Sequence, residues 1–212
     1  MQKNKKIILI TGGRGFIAKN IIYKLKQKYF IYVTCSKSLK NKIDIIYLNI
    51  KLKKDLNTLK KLKIDYLINC HGKIKNDDYD EIYNDHYVFC KNLLETINII
   101  NLRKIIHMGS VDEISDNISG KDKYIKEKPT SHYGVIKLMV SKLIREFANK
   151  NKIDFIILRI FLVYGPGQKK PRLIPYLIDC IKKNKVANIS DITAKKIFTH
   201  IDTLTKVVEV FL

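Results

Sequence analysis

Tyr133 and Lys137, in Tyr133-Gly134-Val135-Ile136-Lys137, place a phenol and an amine four residues apart, a pair that can move a proton. On a helix that spacing puts both on one face, one turn apart. A nearby ammonium favours the phenolate and lowers its pKa towards the range useful for acid–base work. The pattern alone says little. With 12 Tyr and 36 Lys in 212 residues, about two such matches arise by chance. Four occur, beginning at Tyr47, Tyr87, Tyr124 and Tyr133. Context separates them. Tyr47 lies in a predicted strand, where positions i and i+4 are too far apart to couple. Tyr124–Lys128 runs into Pro129, which disfavours helix at the residue before it. Tyr87–Lys91 has no hydroxyl-bearing strand end ahead of it. Tyr133 follows Pro129-Thr130-Ser131, a helix start, and comes after Met108-Gly109-Ser110 at the end of a strand, so Ser110 can hydrogen-bond the same substrate oxygen.

A second constellation opens the chain. The apolar run Ile7-Ile8-Leu9-Ile10 closes on Thr11-Gly12-Gly13-Arg14-Gly15-Phe16-Ile17-Ala18, and Phe16, Ile17, Ile21, Ile22 and Leu25 then recur at helical spacing. This is strand, tight turn, helix. Gly12 and Gly15 let the backbone turn and approach a pyrophosphate, and the helix N-terminus offers N–H groups and a partial positive charge to that anion. Ala18 allows close helix–strand packing. The reading is dinucleotide binding.

The elements that must hold these residues alternate along the chain. Strands are predicted at Ile7–Ile10, Phe30–Thr34, Ile45–Leu48, Tyr66–Asn69, Lys104–Met108, Phe155–Leu158 and Ile197–Ile201, and helices at about 16–28, 54–61, 80–100, 132–149, 172–183 and 203–211. Such alternation specifies an α/β fold, a doubly wound parallel sheet of Rossmann type. Ligands in such sheets sit at the carboxyl ends of strands. A substrate is therefore expected at the loops Ser115–Thr130 and Tyr164-Gly165-Pro166-Gly167-Gln168.

The formal net charge is +21, but five Arg against 36 Lys, spread evenly, is solvated surface rather than a nucleic-acid interface, which favours Arg. The charge would assist capture of an acidic small substrate. Cys35, Cys70, Cys90 and Cys180 show no metal-ligand spacing, so reduced thiols and no metal are expected. The apolar run after Met1–Lys6 is too short for a signal peptide and no segment reaches membrane-spanning length. A cytoplasmic protein with no membrane or nucleic-acid partner follows.

The chain resembles an extended short-chain dehydrogenase/reductase, of the NAD-dependent epimerase/dehydratase family acting on nucleotide sugars. The stretches that carry the resemblance are TGGRGFIA, Asn69-Cys70-His71-Gly72, Asn92-Leu93-Leu94-Glu95, MGSVDEI, KPTSHYGVIK, LRIFLVYGPGQ and FTHID. It implies that Tyr133 is the general acid/base, that Ser110 polarises the sugar oxygen, and that Lys137 holds the nicotinamide ribose and lowers the Tyr133 pKa. It further implies cofactor contacts from Gly12, Arg14, Gly15, Phe16, Ile17, Asn49, Ile50, Cys70, His71 and Gly72. Substrate contacts are implied from Ser110, Tyr133, Arg172 and Lys196, the last replacing an Arg often used on the substrate phosphates. Asn49 stands where the family often has an adenine-contacting Asp. Leu162 stands where it commonly has a substrate-facing Asn, and His86 where an Asn usually opens the helix segment. His71 and His200 are read as structural. Family members often dimerise through the Tyr-bearing helix and its neighbour, here residues 132–149 and 80–100.

An NAD-selecting fold usually carries an acid about 20 residues beyond the glycines. Here the second strand ends in Thr34-Cys35-Ser36-Lys37, so Ser36, Lys37 and Arg14 are expected to take a 2′-phosphate, which favours NADP(H), with NAD(H) the alternative. With the likeness of Tyr164–Gln168 and Leu173–Cys180 to 4-ketohexose reductases of the CDP-abequose synthase type, this points to an NADPH-dependent 4-keto-sugar reductase. The alternatives are an NAD-dependent epimerase or dehydratase and a shortened, non-catalytic dinucleotide-binding protein. Dehydratases place an Asp-Glu pair next to the catalytic hydroxyl. Val111 shifts Asp112-Glu113 by one position, and the pair is read as solvated. Residues 1–212 form the NAD(P)-binding domain, 160–212 being a partial remnant of the substrate-binding part, with the usual C-terminal substrate lobe largely missing.

Overall fold

The computed structural model describes residues 5–37, 39–72, 78–114, 126–189, 191, 193 and 196–212. Six strands, β1 (Ile7–Ile10), β2 (Phe30–Cys35), β3 (Ile45–Asn49), β4 (Tyr66–Asn69), β5 (Lys104–Ser110) and β6 (Asp154–Ile160), form one parallel sheet in the order β3-β2-β1-β4-β5-β6. This is the doubly wound dinucleotide-binding order. The chain runs outwards from β1 to β3, then crosses back to β4 beside β1, so the β1/β4 carboxyl ends are the switch point where a crevice opens. The strands read as near-continuous apolar runs because helices cover both faces.

Side chains alternate between the faces at the strand period of two. Ile8, Ile10, Ile68, Ile106 and Met108 pack with Ala18, Ile21, Ile22 and Leu25 of α1 (Phe16–Leu25) on one side. Leu9, Leu67 and Ile105 pack on the other with Leu93 and Leu94 of α4 (Phe89–Thr96) and Val140, Ile144 and Ala148 of α5 (His132–Asn151). The remaining helices are α2 (Lys53–Lys61), α3 (Tyr79–Tyr83), α6 (Leu173–Lys182) and α7 (Ile201–Val210). Although α7 lies in the stretch read as part of the substrate lobe, its Ile201, Leu204 and Val208 join the α1 side of the core. Its Glu209 reaches Lys28 at 2.5 Å and Lys24 at 3.3 Å. Among the described residues no helix is long and apolar enough to cross a membrane.

Two features differ from expectation. A short strand β7 (Leu162–Tyr164) follows β6 after one residue and pairs with β8 (Phe198–His200) as a separate two-stranded parallel sheet. The helix expected over 80–100 is interrupted by a π-helical turn at Asn84–Val88 between α3 and α4. Such turns displace a helix face locally and recur at functional sites; here it carries His86 towards the sheet, where the ring is buried against Gly72 and lies edge-on to Tyr133 at 5.7 Å.

Candidate active site

Thr11 fastens the switch point. Its hydroxyl donates to Asn69 Oδ1 at 2.6 Å and accepts the Cys70 and His71 N–H groups at 3.0 and 3.1 Å, tying the β1 and β4 exits together. Gly12 follows with φ +68°, and a Cβ there would lie 2.8 Å from the Cys70 carbonyl oxygen, so only glycine fits. Gly15 is different. Its backbone is ordinary extended chain (φ −70°, ψ 157°), it caps α1, and no side chain takes up the helix N–H groups. The bare, uncapped N-terminus that remains suits an anion. His71 stacks on Phe89 with ring centroids 3.6 Å apart and has Asp85 at 3.7 Å, a built-in position consistent with its structural reading. Phe16 and Ile17 pack partly into the core beneath the turn.

Arg14, Ser36 and Lys37 are all exposed at the carboxyl ends of β1 and β2. Arg14 is near enough to draw the Cys35 thiol pKa down, against the larger upward push of burial, and so belongs to the β2 end. Asn49 accepts the Lys51 N–H at 3.1 Å through its own side chain, and its N–H donates to Asp55 at 2.7 Å. Ile50 N–H closes onto the Cys35 carbonyl at 3.1 Å. Asp55 thus brings to this corner a carboxylate that the sequence reading did not single out.

At the other end of the crevice β5 finishes in Ser110, which caps a 3₁₀ turn over Val111–Glu113. Ser110 Oγ donates to Asp112 at 2.8 Å. Ser131 starts α5, as expected, by accepting the Gly134 N–H at 3.0 Å. Any side chain at Gly134 would overlap the Asp112 carbonyl oxygen. That close approach brings Tyr133, one residue earlier, against Ser110, which hydrogen-bonds the phenol. Burial and then the Asp112 carboxylate push the Tyr133 phenol up to about 12, while Arg172 and the Ser110 hydrogen bond draw it down. Arg172, expected only at the substrate, is thus also a cation that acts on the phenol. Lys137 is 4% exposed and its Nζ donates to the Met108 carbonyl at 2.5 Å. Burial pulls its pKa down to about 8, with Glu113, Cys90 and Cys70 holding it up.

Asp112-Glu113 is corrected as well. Asp112 is exposed, but Glu113 is completely buried, because its carboxylate is claimed by Ser110 N–H, Ser141 and Arg159. His107, also missed, lies buried on β5, where Asn69 Nδ2 meets its Nδ1 at 3.2 Å, and burial keeps the imidazole neutral. Only contacts between distant elements reveal these two roles. The structure brings Tyr133 to Ser110, with Arg172 within electrostatic reach of the phenol and Lys137 one turn further along α5. Lys196 stands exposed ahead of β8, with no hydrogen bond or ion pair to a described residue. In the loop after β7, Gln168 folds back onto the Val163 carbonyl at 2.6 Å. Residues 115–125 of the Ser115–Thr130 loop, Tyr124 included, lie outside the described residues.

A parallel sheet of this order, with a glycine turn at its switch point and a serine–tyrosine–lysine set on β5 and α5, defines a protein of the extended short-chain dehydrogenase/reductase class. Residues 8–212 match the model of the NAD dependent epimerase/dehydratase family, and the chain belongs to that family. Among its relatives are a GDP-6-deoxy-D-talose 4-dehydrogenase of Aggregatibacter actinomycetemcomitans (24% identical, covering 92% of this chain and 66% of that protein) and a CDP-abequose synthase of Salmonella typhimurium (24%, covering 85% and 61%). A third is a dTDP-D-glucose 4,6-dehydratase of Dictyostelium discoideum (27%, covering 86% and 49%). The chain thus spans about half to two-thirds of the length of these relatives. The fold is shared with UDP-glucuronic acid 4-epimerase from Bacillus cereus in complex with NAD (TM-score 0.82, 24% identity, 97% of this chain and 73% of that one). It is shared too with UDP-glucose 4-epimerase from Thermotoga maritima (TM-score 0.84, 17% identity, 97% and 73%).

Proposed function

We propose that the chain is an NAD(P)-dependent oxidoreductase acting on a nucleotide-linked sugar, and more narrowly an NADPH-dependent reductase of a 4-keto sugar. The observation that carries the reading is the approach of Tyr133 to Ser110 at the carboxyl edge of the sheet, where Gly134 packs on the Asp112 carbonyl. The close approach of Gly12 to the β4 exit and the bare α1 N-terminus suit a dinucleotide pyrophosphate. A bound dinucleotide supplies the hydride carrier, and the residues of this chain do the rest. Tyr133, protonated at neutral pH with its pKa near 12, gives its proton to the sugar oxygen as negative charge develops there. Ser110 hydrogen-bonds the same oxygen. Lys137 would hold the ribose of a bound dinucleotide, and Arg172 would offer a planar fork to an anionic part of the substrate.

Arg14, Ser36 and Lys37 support a 2′-phosphate. The second reading, an NAD-dependent epimerase, is favoured by the NAD in the solved B. cereus enzyme and by the Asp55 carboxylate at the same corner. A homodimer through helices 80–100 and 132–149 belongs to the proposal. A groove of about 250 Å³ between α4 and α5, lined by Leu94, Leu143 and Phe147 among others, is a fitting contact.

Thermal shift of the full chain with each of NADPH and NADH at matched concentration tests the cofactor. A ligand at a hundred times its Kd adds about 2.7 kcal/mol. A shift with NADPH alone supports the reductase, a shift with NADH alone supports the epimerase, and no shift with either overturns both. Turnover of 4-keto nucleotide sugars should be lost in Tyr133→Phe; turnover unchanged by that substitution overturns the mechanism.

A further inference from the structure

We infer that Glu113 is a positioning residue that fixes Ser110 and sustains the Lys137 ammonium, an inference that rests on the reading of Ser110, Tyr133 and Lys137 given above. Its carboxylate joins three elements. Oε1 accepts the Ser110 N–H from β5 at 2.8 Å, while Oε2 accepts Ser141 Oγ from α5 at 2.9 Å and Arg159 Nε from β6 at 3.2 Å. The seat is tight: a Cβ at Gly109 would come 2.7 Å from Oε1. Backbone and side chain of Ser110 are thus held by two successive carboxylates of the 3₁₀ turn, Glu113 on the N–H and Asp112 on the hydroxyl.

The charges around the carboxylate sort into two groups. Arg159 faces it from β6 and continues to Glu127 at 2.6 Å, where Arg145 at 3.2 Å and Lys142 at 3.8 Å also gather. On α5 its partner Ser141 lies one turn beyond Lys137, and Lys137 Nζ sits on the Met108 carbonyl, next to the Gly109 that packs on Oε1, so the carboxylate and the ammonium share this corner. Cys70, Cys90 and His107 are the other titratable groups that interact electrostatically with Lys137. Burial pushes both thiols up to about 12 and keeps the imidazole uncharged, so none of the three carries an opposite charge at neutral pH. Among the described residues, Glu113 is the carboxylate that supports this buried ammonium. A carboxylate whose role was only to brace the turn would hold Ser110 without affecting how Lys137 titrates.

The two roles separate experimentally in the full chain labelled with ¹³Cε-lysine, with no cofactor or substrate needed. One lysine should titrate well below the rest and vanish in Lys137→Met. Glu113→Gln keeps the shape, loses the charge and should move that titration down by about one pH unit or more, while the Ser110 amide stays protected from exchange. Glu113→Asp withdraws the carboxylate and should expose the Ser110 amide, with a partial downward movement of the titration. A titration unmoved in Glu113→Gln overturns the proposal. If that variant does not fold, Glu113→Asp decides, and an unchanged Ser110 amide or an unchanged titration overturns it. Dinucleotide binding is read separately, so failure of the functional reading is not confused with failure here.

Discussion

Lys137→Met should make the protein more stable at neutral pH while removing its turnover. The ammonium is buried and its pKa falls from 10.5 to about 8. At about 1.4 kcal/mol per pH unit, keeping it charged in the fold costs about 3 kcal/mol. Methionine fills similar space without that cost. The substitution gives up the bond to the Met108 carbonyl, about 1 kcal/mol, so a net gain of about 2 kcal/mol is expected. The sign of the pH dependence follows from the same displacement. Between about 8 and 10.5 the unfolded chain binds a proton that folded Lys137 has released, so wild-type stability rises with pH across that window. The variant lacks this rise. Urea unfolding of both proteins at neutral pH and near pH 10.5 gives the comparison, and contributions from the other lysines cancel in the difference. The advantage of the variant should shrink to nothing or reverse at the higher pH. A variant less stable at neutral pH, or a gap unchanged by pH, would refute the reasoning.

Thr11→Val keeps the volume but leaves the Cys70 N–H without its acceptor, Asn69 Oδ1 without the Thr11 donor, and the His71 N–H with only its long 3.4 Å contact to Asn69. A loss of about 2–3 kcal/mol in urea unfolding is expected, and a loss under about 0.5 kcal/mol would remove the staple from the account. Gly12→Ala should destabilise by about 1–3 kcal/mol because φ is positive there. Gly15→Ala should cost under about 1 kcal/mol yet weaken dinucleotide binding severalfold, as titration by fluorescence would show; equal effects at the two positions would contradict their different roles. Because His107 is held neutral by burial, unfolding free energy should fall as pH drops below 6.5, and His107→Gln should flatten that slope. Phe147→Asp should convert a dimer into a monomer by light scattering, whereas a monomeric wild type would end the dimer proposal.

Much of the fold was legible because β-branched runs and helical spacing dominate it. Ile7–Ile10 and Tyr66–Asn69 come out residue for residue. Other strands run past their apolar cores by one or two polar residues, to Asn49 and to Ser110, and those ends carry the site. β7 is invisible because Phe155 to Tyr164, apolar apart from Arg159, has no turn residue to mark the break at Phe161. The π turn shifts the helical phase by a single residue, and the resulting spacing of four between Ile82, His86, Cys90 and Leu94 still reads as an ordinary helix. Tyr133, Ser110 and the glycine turn were found by local spacing. Glu113 was not, because its partners Ser141 and Arg159 lie 28 and 46 residues away on other elements. A carboxylate three residues after a serine looks like loop until β6 and α5 close over it. That the Met108 carbonyl holds the Lys137 amine was equally illegible, since spacing on a helix does not reveal it.

The docking of α7 on α1 also bears on the order in which the chain can fold during synthesis. Ile21, Ile22 and Leu25 emerge early, but Ile201, Leu204 and Val208, which pack into the same cluster, follow only after the whole six-stranded sheet has been made. Contacts of such sequence separation form slowly. Until they form, one face of the nascent sheet keeps an uncovered apolar surface, of the kind that chaperones hold and that aggregates when released too soon.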